Sequence, residues 1–179
     1  MKIYFDSEFT GLIKNTDLIS IGCIAENGRQ FYAEFTDYNS RLIDDWLQKN
    51  VIENLLYNDR DHFIKKEENS IFMKDIKPNI KNAFESFILD MDSVTMFSDI
   101  SSYDWVLFCD LWGGALNIPD KIDPFCRDIG HYLEQNGFDP FNQNREKILE
   151  KEGITIEGTK HNSLYDAKVI KALANLFGV

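Results

Sequence analysis

The stretch TDLISIGCIAENGRQFYAEFT, residues 16–36, decides how the chain begins to fold. Its first half reads as a strand, with Leu18, Ser20, Gly22 and Ile24 on one face. Its second half alternates Phe31, Ala33 and Phe35. Between them stands Asn27-Gly28, the strongest short-range signal for a β-hairpin. Just upstream, KIYFDSE (residues 2–8) has the composition of another strand. Side chains alternate across a strand, so Tyr4, Asp6 and Glu8 share one face while Ile3 and Phe5 share the other. The chain therefore opens as a three-stranded antiparallel meander.

Downstream, residues 40–92 read as mainly helical and polar. RLIDDWLQKNVIENLL and IKNAFESFILDM carry apolar residues at helical spacing, and NDRDHFIKKEENS is a charged connection between them. SVTMFS is a short strand. SYDWVLFCDLWGG is a helix with Ser102 as N-cap, and DPFCRDIGHYLEQNG and FNQNREKILEKEG are two more. The last helix, NSLYDAKVIKALANLFG, has Asn162 or Ser163 as cap and Gly178 as stop. A meander followed by alternating helix and strand predicts an α/β fold, a mixed sheet with helices packed against it. With 179 residues, 44% of them hydrophobic, and no linker or repeat, one domain over residues 1–179 is expected.

The net charge of −11 argues against a protein that coats nucleic acid non-specifically. It leaves room for an enzyme that takes one strand end into a cleft where cations offset carboxylates. From Phe141 onward the balance is near neutral, six basic residues against five acids. Cys23, Cys109 and Cys126 lack metal-ligand spacing and read as thiols of a reducing cytoplasm. No signal peptide or membrane segment is expected.

Several carboxylates occupy unexpected places. Asp6 and Glu8 share a strand face, where like charges repel unless a cation lies between them. Asp166 precedes Val169 and Ile170 by three and four residues, which puts it on the core-facing stripe of the last helix. His161 stands at that helix's start. Asp104 lies in line with Leu107, Phe108 and Leu111, although a first-turn aspartate also suits the helix dipole. Asp99, at the end of the preceding strand, competes with it for the same role. His62 and His131 sit in charged helical surroundings and read as surface residues; Asp90 and Asp92 lack an apolar stripe. Hard oxygen ligands without zinc-type spacing suit Mg²⁺ or Mn²⁺. Two such ions can clamp the attacking and leaving oxygens of a phosphodiester, with a histidine near neutrality taking the proton of the attacking water.

FDSEFTGL, SSYDWVLFCDLWG and HNSLYDA together resemble the three motifs of the DEDDh 3′-to-5′ exonucleases of the ribonuclease H-like superfamily, in the right order. The short middle motif is most similar to a small branch of 3′-to-5′ exoribonucleases. The resemblance implies a ribonuclease H-like mixed sheet, antiparallel meander first and parallel strands after, flanked by helices. It implies that Asp6, Glu8 and Asp166 bind a first ion, Asp6 also bridging to a second held by Asp104, with two Mg²⁺ or Mn²⁺ ions per site. It makes His161 the general base, and gives Phe9, Thr10 and Leu12 contacts to the terminal nucleotide. The expected partners are 3′ ends of single-stranded RNA or DNA, with a homodimer as a further candidate and no membrane. Members of this family often place an asparagine shortly before the second-motif aspartate, where this chain has DISS. Rival readings are a DNA exonuclease of the same fold, an inactive nucleic-acid-binding module, and a glycosidase pair at Asp6 and Glu8.

Overall fold

The computed structural model describes residues 1–179. Strands β1 (Lys2–Phe9), β2 (Leu18–Ala25) and β3 (Gln30–Phe35) form the expected antiparallel meander. Gly28 takes up a left-handed φ of 92° in the turn, as an Asn-Gly hairpin requires. The sheet grows outward on both sides. Strand β5 (Ser70–Asp75) lies parallel to β3, and β4 (Phe63–Glu67) forms the antiparallel edge beyond it. On the other side β6 (Thr95–Ser98) is parallel to β1 and the two-residue β7 (Arg127–Asp128) is parallel to β6. The result is a seven-stranded mixed sheet in the order β4-β5-β3-β2-β1-β6-β7.

The alternation along β1 sorts two cores. Ile3 and Phe5 enter the larger one, under helices α2 (Lys77–Phe87) and α3 (Ser102–Asp110). Tyr4 enters the second, under α4 (Ile129–Gln135), α5 (Arg145–Lys151) and α6 (Ser163–Phe177). Asp6 and Glu8 follow Tyr4 and face α6. Helix α6 is capped as its sequence suggests: Asn162 accepts a hydrogen bond from the Tyr165 N–H at 3.3 Å, and Gly178 ends the helix at φ 72°.

The structure corrects five sequence-based expectations. Residues 40–92 are not mainly helical: the charged segment NDRDHFIKKEENS supplies β4 and turns into β5 through Glu68 and Asn69, both at positive φ. A largely solvated edge strand shows no apolar alternation, so its residues resemble a loop. RLIDDWLQKNVIENLL breaks into a 3₁₀ turn, the short helix α1 (Asp45–Asn50) and a second 3₁₀ turn, because the Asp44 carboxylate accepts the Leu47 N–H and starts a new helix. Ser102 is not a cap but the first residue of α3; Ser101 precedes it and gives its hydroxyl to Asp128. The helix expected from DPFCRDIGHYLEQNG begins only at Ile129, since Arg127 and Asp128 pair with β6 and Asp128 caps α4. Finally, Leu18 does not share a face with Ser20, Gly22 and Ile24. A bulge opposite Glu8 and Phe9 shifts the register and turns it into the larger core.

Candidate active site

Asp6 lies opposite Gly22 and Glu8 opposite Ser20 across the β1–β2 ladder, so all four point to the α6 face. The first turn of α6 rests directly on this surface. A Cβ at Gly22 would sit 2.2 Å from the Leu164 backbone nitrogen and 2.3 Å from the Ser163 carbonyl carbon, so only glycine admits the helix so closely. Ser20 and Ser163 share a hydroxyl–hydroxyl bond of 2.9 Å at the same contact. This approach delivers Asp166 onto the strand carboxylates: oxygens from Asp6, Glu8 and Asp166 all lie within 4.8 Å of one another.

His161 precedes α6 in a left-handed conformation, φ 63°. Its backbone N–H donates to Asp166 Oδ2 at 2.8 Å, and its ring meets Trp46 of α1 edge-on with centroids 5.1 Å apart. Asn162 donates to the Asn54 carbonyl at 2.9 Å, tying this loop to the segment after α1.

Asp104 arrives from the opposite side. Ser7 alternates away from Asp6 and Glu8 and donates both its N–H (2.9 Å) and its hydroxyl (2.6 Å) to Asp104 Oδ1. Asp104 is buried yet outside the tight group of three. Asp99 is spoken for: Arg145 of α5 grips both its oxygens, through Nε at 2.7 Å and Nη2 at 2.9 Å. The two candidates left open by sequence are thereby separated, one bound to β1 and the other closed into an ion pair.

The family model for the 3′-5′ exoribonuclease Rv2179c-like domain matches residues 1–177. The chain belongs to this family. That membership makes it a 3′-5′ exonuclease of the exoribonuclease kind. The 3′-5′ exoribonuclease Rv2179c of Mycobacterium tuberculosis is 27% identical over 139 residues, 76% of each chain. Among solved structures, the S. pombe Pop2p, in a Mg²⁺- and Mn²⁺-bound form, superposes with a TM-score of 0.62 at 15% identity, covering 99% of this chain and 81% of its own. A 3′-exonuclease that recognises a histone mRNA stem-loop gives 0.67 at 15% identity, covering 98% and 63%. At these identities the structural likeness establishes the fold, which is ribonuclease H-like.

Electrostatics of the Rv2179c-like site follow from its crowding. Burial, then the neighbouring charges of Asp104, Asp166, Glu8 and Asp99, hold the Asp6 carboxyl far above the usual carboxylate range. Burial and the charges of Asp166 and Asp104 push Glu8 up to about 8. Asp166 is raised to about 7, mainly by burial, although the His161 N–H works against this. Asp104 is raised only to about 6, because the two Ser7 bonds oppose its burial. Carboxylates held this close are stable in the ionised form only with a cation among them, and all-oxygen donors suit a hard divalent ion. His161 moves the other way: burial, then the Lys160 charge, lower its pKa below the ordinary histidine value, which favours neutral imidazole at neutral pH.

These residues line a cleft of about 1040 Å³. That is at the top of the roughly 300–1,000 Å³ range of small-ligand sites and leaves space beyond one nucleotide. Phe9 is stacked on Tyr103 at 5.6 Å, and Leu12 stands exposed on the rim. Thr10 is buried, its hydroxyl accepting from the Asp17 N–H at 2.9 Å and sharing a bond with Thr16. Its backbone N–H is also used, donating to the Asp17 carbonyl at 2.9 Å, so Thr10 shapes the loop and its carbonyl is what remains for a ligand. Sequence reasoning missed Ser7, Gly22, Trp46 and Arg145. Ser7 lies inside the first motif and could have been found by strand alternation; the others depend on contacts between distant segments.

Proposed function

We propose that this protein shortens single-stranded RNA from its 3′ end, one nucleotide at a time, with two divalent cations, Mg²⁺ or Mn²⁺. The observation that carries this reading is the convergence of Asp6, Glu8 and Asp166 within 4.8 Å beside His161, whose pKa burial lowers. In this reading Asp6, Glu8 and Asp166 hold one ion, and Asp6 and Asp104 the other. When bound, the ions supply positive charge to the attacking and leaving oxygens of the phosphodiester. His161 accepts the proton of the attacking water on its imidazole, and its main-chain bond to Asp166 keeps the ring at the cleft. Glu8 and the backbone at Phe9 and Thr10 receive the terminal 3′-OH, and Leu12 lies against the terminal base. The three free thiols fit a reducing compartment such as the cytoplasm.

The test is a 5′-labelled single-stranded RNA incubated with Mn²⁺ or Mg²⁺, with and without chelator. A ladder descending from the 3′ end, abolished by chelator, is expected, with slower loss of a DNA of the same sequence. His161→Ala should lower kcat by about 10²–10⁴-fold with little change in KM. Circular RNA cut as fast as linear RNA would overturn the exonuclease reading. A fall in kcat of less than about threefold would remove His161 as the base.

A further inference from the structure

Four exposed large apolar side chains line the carboxylate cleft: Leu12 (72% exposed), Trp46 (53%), Ile100 (51%) and Phe141 (82%). Single exposed apolar residues are ordinary, whereas a group of them around one polar site marks a surface that is covered on binding. They fall on two flanks. Leu12 follows β1 and Trp46 lies on α1; Ile100 follows β6 and Phe141 lies in the loop between α4 and α5.

The second flank is held firmly. Ile100 has φ 53°, a left-handed conformation that β-branched residues avoid and that marks functional positions when the surroundings enforce it. Asp128 enforces it here. Its carboxylate accepts the N–H of Ile100 at 3.2 Å, the N–H and hydroxyl of Ser101 at 2.8 and 3.1 Å, and the Gly130 N–H at 2.8 Å. Arg145, while paired with Asp99, donates to the carbonyls of Pro140 and Gln143, on either side of Phe141. Asp139 accepts the Phe141 N–H at 2.8 Å. The backbone thus holds the Phe141 ring outward, over the same cleft.

We propose that Ile100 and Phe141 form the binding flank for the base of the second nucleotide from the 3′ end, Phe141 stacking on it and Ile100 lying against its edge. This rests on the single-strand exonuclease reading above. With the terminal nucleotide on the Leu12 flank next to Glu8, the rest of the strand leaves past the opposite wall. Stacking on an aromatic face is open to every base, so the Phe141 contact does not itself select a sequence.

Equilibrium binding of a 5′-fluorescein-labelled single-stranded RNA, read by anisotropy with Ca²⁺, tests this, with 3′ shortening measured separately in Mg²⁺ or Mn²⁺. Phe141→Ala should weaken binding by about 5–100-fold. Its melting temperature should stay within about 2 °C, as for an exposed residue. An RNA lacking the second base should bind the wild-type chain more weakly by a similar factor, and Phe141→Ala should distinguish the two RNAs only by the roughly threefold that Ile100 contributes. Ile100→Gly relieves the left-handed strain, so it should leave the melting temperature unchanged or higher while weakening binding by about threefold or more. A purely structural Ile100 would not separate the two readouts this way. The proposal is overturned if Phe141→Ala binds like wild type, if it senses the missing base as strongly as the wild-type chain does, or if the wild-type chain does not bind. Base-dependent binding without any 3′ shortening would instead overturn the proposed function.

Discussion

Helices α3 and α6 bring an aspartate each to the same cleft from opposite faces of β1, and they are held there by different physics. Helix α6 is seated by shape: its backbone lies against the bare Cα of Gly22, so Asp166 arrives at a distance no other residue at position 22 would allow. Helix α3 is seated by hydrogen bonds, from Ser7 to Asp104 and from Ser101 to Asp128. The difference shows in the carboxylates. Asp104, served by two donors, rises only to about 6; Asp166, with one peptide N–H, rises to about 7. Shape gives position without charge relief, and hydrogen bonds give both.

Gly22→Ala is the harshest way to break this comparison. Overpacking against backbone has no flexible side chain to move aside, and the loss should be about 3 kcal/mol or more. For a chain of this size that is a melting temperature lower by about 6–12 °C, with 3′ shortening lost as Asp166 is lifted away. A variant melting within about 2 °C of wild type would mean that α6 is not seated by contact with β2.

Ser7→Ala is the milder counterpart on the α3 side. It removes the 2.6 Å hydroxyl bond and keeps the backbone one, so the expected loss is about 1–2 kcal/mol. Asp104 should then ionise less readily, and the Mn²⁺ concentration for half-maximal activity should rise. An unchanged Mn²⁺ requirement would separate Asp104 from ion binding.

A pH titration sharpens the comparison by reading both sides at once. Unfolded carboxylates titrate near pH 4, whereas Asp104, Asp166 and Glu8 in the fold stand at about 6, 7 and 8. The folded chain therefore keeps protons that the unfolded chain has released, a stabilisation complete below about pH 4 and lost as pH rises through about 8. In chelator the melting temperature should fall between pH 5.5 and 8.5; these limits span roughly the raised values. Saturating Mn²⁺ should flatten that slope, since the bound ion favours the ionised forms. A melting temperature that climbs over this range in chelator would contradict the crowding.

Local signals carried the parts of this fold that local physics determines. Asn27-Gly28 and the alternation of Phe31, Ala33 and Phe35 were enough for the meander, and the stripe of Val169, Ile170 and Leu173 was enough to turn Asp166 inward. The β4–β5 hairpin was illegible because Lys65, Lys66 and Glu67 sit on a solvated edge, where no apolar pattern is demanded. The break between α1 and its flanking turns depended on one cap at Asp44 inside an otherwise helical pattern. At the site, the clustering of Asp6, Glu8 and Asp166 could be anticipated from strand and helix faces. The pairing of Asp99 with Arg145, 46 residues apart, could not, and neither could the seat at Gly22, which exists only once α6 has packed on β2.

The left-handed peptide at His161 acts as a bracket, and in the proposed function its imidazole is a tool mounted on it. The bracket, an N–H on Asp166, belongs to every amino acid but proline. Exchange of the side chain alone leaves the carboxylates supported, and glycine would accept that φ with less strain than histidine. In the proposed function, activity and architecture are thus written in separate atoms of one residue. On that proposal, a single substitution there silences the chain while keeping its outline.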